Sequence, residues 1–245
     1  MKKLVFWHGW GMRSGAWHPL TTLLADRQTD HPTLELASLP GYDGTPYPAP
    51  YTPEAVVDAM LAEQTQPITL CGWSLGALLA MLAAHRHPEK IEKLILISAT
   101  PSFIQRTDWS HAISPAMLTE FSAAIRADAE SALKRFITLF NHNDPHAKEN
   151  VRELGNFTLA PQAVLQGGLD ILRELDVRHM VSGIPQPTLL IHGTRDPLMP
   201  LAAAEWLAAT LPDATLKTVA EAAHAPFISE PAYVANLITA WLEPS

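Results

Sequence analysis

Short apolar runs recur along the chain at Leu4–Trp7, Leu34–Leu39, Ile68–Gly72, Leu94–Ser98, Thr188–His192 and Thr215–Val219. Each is nearly continuous in apolar character, as a strand covered on both faces of a parallel sheet should be. Between them lie stretches with helical spacing: Ala16–Ala25, Pro53–Glu63, Leu75–His87, Leu201–Thr210 and Pro231–Leu242. Pro53 and Pro231 stand where a first helical turn accepts proline, because the missing N–H is not needed there. The alternation predicts βαβ units: an α/β fold with a mostly parallel sheet and helices on both faces. Gly41–Pro53, rich in Pro, Gly and Tyr, is predicted to be a surface loop.

The alternation breaks once. Between Ser98 and Thr188 the chain offers helical patterns at Ala116–Ala127, Glu130–Phe140, Ala147–Gly155 and Gln162–Glu174, and no convincing strand. One crossover seldom needs so many helices. Residues 100–184 are therefore predicted to be a helical lid inserted into an α/β core made of 1–99 and 185–245. Extra crossover helices packed on the sheet are the alternative. A chain of 245 residues suits one large domain with such an insertion.

Charge narrows the partners. The net charge of −8 argues against nucleic acid, which needs a basic face, and against anionic membranes. The single cysteine, Cys71, can form no internal disulfide, which suits a reducing compartment. The apolar run after Met1-Lys2-Lys3 stops at His8-Gly9, short of the roughly 7–15 residues of a signal peptide. No stretch approaches the ~18 apolar residues of a membrane span. A soluble cytoplasmic monomer is expected.

The strongest motif is Gly72-Trp73-Ser74-Leu75-Gly76, a G-x-S-x-G pattern. Alone the pattern is common. Here it follows the run Ile68-Thr69-Leu70-Cys71 and opens a helical run, the strand–turn–helix context of a nucleophile elbow. A glycine-rich turn with an incidental serine is the alternative. A serine hydroxyl needs a base to take its proton. Of the 11 histidines, His224 lies on a loop after the last strand, at the sheet end where open α/β folds place their sites. Asp196, in Gly193-Thr194-Arg195-Asp196-Pro197, follows a strand and precedes His224. It would orient the imidazole and stabilise the imidazolium. Capping the turn before Pro197 is a second, compatible role.

An oxyanion hole needs two backbone N–H donors aimed at the developing charge. Leu75, next to the serine, supplies one candidate. The turn His8-Gly9-Trp10-Gly11 after the first strand supplies the other, the Trp10 N–H. His8 is read as a brace for that turn. Cys71, inside the strand before Ser74, reads as a buried structural thiol. No H-x-x-x-H or Cys/His cluster suggests a metal, and no phosphate-binding glycine loop suggests a nucleotide. No cofactor is expected.

These motifs resemble the α/β-hydrolase superfamily over the whole chain. Within it, Leu70–Leu78, His8–Gly11, Leu39-Pro40-Gly41, Gly167–Leu172 and Ala222–Ser229 look like the pimeloyl-[acyl-carrier protein] methyl ester esterases of biotin synthesis. The resemblance implies a serine carboxylesterase that cleaves the methyl ester of a pimeloyl chain carried on acyl-carrier protein, through an acyl-serine intermediate. It also implies that basic lid residues, here Lys134, Arg135, Lys148 and Arg152, meet the acidic carrier. A solvated helix face is their alternative. Most relatives carry an N-terminal hairpin before the oxyanion turn. Here the first strand run begins at Leu4, so the expected sheet lacks it.

For the substrate, Trp10, Trp73, Ser74, Phe136 and Met199, with Met12 and Leu198, are expected around an apolar slot suited to an alkyl chain. Ordinary core packing is the alternative for these apolar residues, and for Phe136 and Met199 the two readings weigh equally. Two rival functions stay open. One is a broad-specificity carboxylesterase or carbon–carbon bond hydrolase, since fold and triad are shared across substrates. The other is a non-catalytic binding protein on the same fold.

Overall fold

The computed structural model describes residues 2–26 and 32–243. Met1, residues 27–31 and residues 244–245, all within the expected core, lie outside the described residues. Six strands form one sheet: β1 (Lys3–Trp7), β2 (Thr33–Ala37), β3 (Ile68–Trp73), β4 (Ile91–Ile97), β5 (Thr188–Gly193) and β6 (Ala214–Val219). Their order is β2-β1-β3-β4-β5-β6, and every neighbouring pair is parallel. The expectation of a mostly parallel sheet is thus sharpened: no antiparallel strand pair joins the described sheet. β3 and β5 are buried at every residue, which explains their uninterrupted apolar runs.

The core helices are α1 (His18–Ala25), α2 (Pro53–Leu61) and α3 (Leu75–Arg86). The predicted Ala16–Ala25 helix is divided. A 3₁₀ turn covers Ser14–Trp17, and α1 starts afresh with Pro19 in its first turn, the one place a helix accepts proline. β4 starts three residues earlier than predicted, because the polar pair Glu92-Lys93 masks its first turn of the pattern. Right-handed crossovers on either side of β1 send α1 to one face of the sheet and α2 and α3 to the other. β1 is therefore where the strand order reverses, and the crevice at the carboxyl ends of β1 and β3 is the natural ligand site.

The residues between β4 and β5 fold as α4 (Pro115–Ala127), α5 (Ala129–Phe140), α6 (Ala147–Leu154), α7 (Gln162–Glu174) and the short α8 (Arg178–Val181). Side chains cap two of them: Ser114 Oγ accepts from the Met117 N–H at 3.2 Å, and Asp128 Oδ1 from the Ser131 N–H at 3.0 Å. The two ends of this segment are tied together. The Val177 N–H donates to the Pro101 carbonyl at 2.9 Å, and Arg106 donates to the Arg173 and Glu174 carbonyls at 3.1 Å. The chain ends with α9 (Leu201–Thr210), the four-residue α10 (Pro226–Ser229) and α11 (Pro231–Leu242), which packs on α1.

Candidate active site

Ser74 occupies the turn from β3 into α3 with φ 56° and ψ −116°, a backbone conformation that non-glycine residues adopt only under constraint. Two glycines create the constraint. A Cβ at Gly72 would lie 2.5 Å from the Gly76 carbonyl oxygen, and one at Gly76 would collide with the Trp7 carbonyl. Only bare backbone lets β1, β3 and α3 pass this closely. The Ser74 N–H donates to the Ile97 carbonyl at 3.1 Å, fastening the turn to β4.

Asp196 lies in the turn after β5. Its Oδ1 accepts from the Leu198 and Met199 N–H groups, each at 2.9 Å, and its Oδ2 accepts from His224 Nδ1 at 2.7 Å. A carboxylate only accepts, so Nδ1 carries the proton and Nε2 is the bare lone pair. Nε2 is buried and bonds to no described group, and no Ser74–His224 hydrogen bond is closed. Such bonds commonly tighten only when substrate is bound. Burial opposes the charge on Asp196. The charge and hydrogen bond of His224, with His192 and the Met199 N–H, outweigh it and hold the carboxyl below its usual range. His192 donates Nε2–H to the Met199 carbonyl at 2.8 Å, and burial depresses its pKa.

The turn His8–Gly11 passes beside the serine: a Cβ at Gly9 would stand 3.3 Å from Ser74 Cβ. His8 Nε2 accepts from the Leu39 N–H at 3.0 Å, so its Nδ1–H donates to the Gly9 carbonyl at 2.9 Å. Burial pushes its pKa down to about 4, against smaller opposing effects of the Gly9 carbonyl and Asp43. The Gly11 N–H donates to Tyr42 Oη at 3.0 Å, a brace that no sequence signal announced. The Trp10 and Leu75 N–H groups donate to no described backbone carbonyl.

A cavity of about 300 Å³ lies between α4, α5 and α7 and the turns that follow β1 and β5. Trp10, Phe121, Phe136, Leu139, Leu169 and Leu198 are among its apolar walls, and Arg135 is its one charged lining residue. The Trp10 indole N–H donates to the Leu165 carbonyl in α7 at 2.9 Å. Of the residues expected around the slot, Trp10, Phe136 and Leu198 line this cavity, and Trp73, Ser74 and Met199 do not. Trp73 is 1% exposed and packs on Phe140 and Phe227, with its indole N–H donating to the His224 carbonyl at 2.8 Å. Met199 is buried too, and its backbone serves Asp196 and His192. Met12 borders a separate hollow of about 230 Å³ beside Arg13, His18 and Glu153.

Of the four basic residues singled out, Lys134 is paired with Glu130 at 2.6 Å on an exposed face of α5. Lys148 and Arg152 are exposed on α6. Cys71 is buried, and burial pushes its thiol pKa up. Among the described residues no group of three His, Cys, Asp or Glu is placed to hold a metal ion, and no helix is long and apolar enough to cross a membrane.

Residues 4–237 match the Alpha/beta hydrolase family. The chain belongs to this family. A pimeloyl-[acyl-carrier protein] methyl ester esterase of Aromatoleum aromaticum is 39% identical to this hydrolase over 244 residues, covering 96% of each chain. The esterase of the same name from Aeromonas hydrophila subsp. hydrophila is 34% identical, covering 96% of this chain and 93% of its own. In fold, the hydrolase is similar to an esterase from Exiguobacterium antarcticum, with a TM-score of 0.86 at 22% identity over 98% of this chain and 91% of that one. It is also similar to a meta-cleavage product hydrolase from Pseudomonas fluorescens, with a TM-score of 0.74 at 17% identity over 98% of this chain and 90% of that one.

Proposed function

We propose that this hydrolase is a serine esterase that removes the methyl group from a pimeloyl methyl ester carried on acyl-carrier protein. The observation that carries the reading is the pair at the sheet's end. His224, oriented by Asp196 at 2.7 Å, leaves a bare Nε2, and its carbonyl is bonded at 2.8 Å by Trp73, the residue before the strained Ser74 turn. The names of the relatives supply the substrate.

In the reaction, Ser74 Oγ attacks the ester carbonyl while His224 Nε2 takes its proton. The Asp196 carboxylate stabilises the imidazolium. The Trp10 and Leu75 N–H groups receive the charge on the carbonyl oxygen, each worth about 3 kcal/mol of barrier. The imidazolium then protonates the departing methoxide, and methanol leaves an acyl-serine. Water, deprotonated by His224, attacks that acyl group, and the imidazolium returns the proton to Ser74 Oγ as the acid is released.

The apolar cavity beside Trp10 and Phe136 suits the methylene chain. Residues 100–184 are then the lid over it, on a core made of 1–99 and 185–245. Arg135 at the cavity, with Lys148 and Arg152, faces the carrier, while Lys134 is engaged with Glu130. The protein would act in the cytoplasm as a monomer.

The test compares hydrolysis of the carrier-bound pimeloyl methyl ester with that of p-nitrophenyl butyrate. A kcat/KM at least tenfold higher on the carrier substrate supports the reading. Preference for the free short ester points to a broad carboxylesterase. Failure of a fluorophosphonate probe to label Ser74 overturns the mechanism altogether.

A further inference from the structure

We infer that Asp144, on the turn between α5 and α6, is a positioning residue for His224, clamping the loop that carries the imidazole onto the inserted helices. The inference rests on His224 acting as the base. Asp144 lies outside every motif that drew attention to the site. It is nevertheless only 6% exposed and uses both carboxylate oxygens. Oδ2 accepts from the Ala223 N–H at 2.7 Å. Oδ1 accepts from the Ser229 hydroxyl at 2.7 Å and from the His146 N–H at 2.8 Å. The carboxylate therefore grips the chain on both sides of His224, at the residue before it and again in α10.

A second contact comes from the same segment. The His224 N–H donates to the Phe140 carbonyl at 3.3 Å, and the Phe140 ring stands edge-on to the imidazole at 5.5 Å between centroids. On the other side, the His224 carbonyl is held by Trp73. The backbone of the base is thus fixed at its N–H and at its carbonyl by groups outside its own loop. Asp144 holds the neighbouring amide, which is buried and has no other described acceptor.

The chemistry calls for a carboxylate. Three donors converge on Asp144 from two sides, and a carboxylate is the side chain that only accepts. Asparagine keeps one accepting oxygen and turns the other position into a donor. The Ser229 hydroxyl can rotate to accept from that NH₂ group, but the His146 N–H cannot. Asn is thus a partial substitute, and Ala leaves the buried Ala223 N–H without a partner. Small displacements of a proton-transfer group cost rate steeply, about 100-fold for 1 Å.

The experiment measures kcat and KM for p-nitrophenyl butyrate in Asp144→Ala, Asp144→Asn and Ser229→Ala, with the folded fraction measured by circular dichroism. Proton NMR follows the low-field resonance of the His224–Asp196 hydrogen bond. Asp144→Ala should lower kcat per folded molecule about 10- to 100-fold and change KM less than twofold. The low-field resonance should shift or broaden. Asp144→Asn should lie between this variant and the wild type. Ser229→Ala, which keeps the Ala223 contact, should lose less than about threefold. Wild-type kcat and an unmoved resonance in Asp144→Ala overturn the inference and leave Asp144 a fold-stabilising residue only. If that variant does not fold, the same result in Asp144→Asn overturns it. His224→Ala serves as the control. If it is inactive while the Asp144 variants are unimpaired, this inference alone fails. If it is active, the assignment of the base fails, and this inference with it.

Discussion

Ser74 is shaped mainly by its immediate neighbours, with one longer-range bond from its N–H to the Ile97 carbonyl. The residues that force its geometry are Gly72 and Gly76, two positions away on either side, with the end of β1 pressed against them. His224 is held by groups far along the chain. Asp196 is 28 residues away, Trp73 is 151 away, and Asp144 grips the adjoining Ala223 across 79. A local strain is written into a five-residue motif and survives any change that leaves the sheet folded. A position assembled from distant hydrogen bonds depends on each of them, and on the helices between β4 and β5 keeping their places. Ser74 should thus tolerate changes far along the chain but none at Gly72 or Gly76, and His224 should be sensitive to several distant ones.

The largest effect should come from the local side of this contrast. Ser74→Ala should lower kcat by roughly 10⁴-fold or more, with thermal stability equal to or above the wild type because the strained turn is made by glycines and not by the hydroxyl. Steady-state kinetics with a thermal melt checks both halves. More than a tenth of the activity left would place the nucleophile elsewhere.

Asp196→Asn tests the distant side. It preserves shape but favours the wrong imidazole tautomer, so kcat should fall about 10³- to 10⁴-fold while the fold is kept. Equal activity in the two proteins would mean that another acid serves His224.

Acid should expose a third difference, this time in stability. Buried His8 takes a proton only near pH 4, whereas in the unfolded chain it does so near 6.5. Between these values the unfolded state binds more protons, so stability falls as pH falls. The contribution is fully present above pH 6.5 and lost towards pH 4, about 3 kcal/mol in all. His192, also depressed by burial, adds with the same sign. Asp196, held below the usual carboxylate range, adds a further loss below about pH 4. Urea melts at pH 7 and pH 4.5 measure the drop. His8→Gln, whose amide oxygen can accept the Leu39 N–H without titrating, should flatten it. An equal drop in that variant would assign the acid sensitivity to other groups.

The smallest effect sharpens the contrast most. Trp73→Phe keeps an aromatic ring but removes the N–H bound to the His224 carbonyl. A lost buried hydrogen bond is worth about 1 kcal/mol, so kcat should fall about 5- to 10-fold, with KM for a long-chain ester nearly unchanged because Trp73 does not line the cavity. A KM effect larger than the kcat effect would return Trp73 to the substrate wall.

The reading of the chain by pattern succeeded where the cause of a feature is local. Apolar runs marked all six strands, most fully β3 and β5, which are buried at every residue, while the edge strands β2 and β6 are partly exposed, and α7, α9 and α11 have the predicted bounds. Trp73 and Met199, expected around the slot, do not line the cavity, since an apolar residue beside a motif can point into a cavity or into the core beneath it. The pattern carries no sign of which. His8 as a brace followed from the glycines around it, but its acceptor role toward Leu39 required the β2 end to be in place.

By itself, the sequence determined the order of strands and helices, the strained turn at Ser74 and the chemical types available at the carboxyl end of the sheet. These depend on side-chain periodicity and on glycine's freedom from steric conflict, both properties of neighbouring residues. Only the tertiary structure decided which nitrogen of His224 is bare, which residues wall the cavity, and that an aspartate on the turn between α5 and α6 grips the loop carrying His224. Each of these turns on a hydrogen bond or a packing direction between residues far apart in the chain. Such a partnership comes into being only when the sheet brings the strand ends together and the helices between β4 and β5 pack against them.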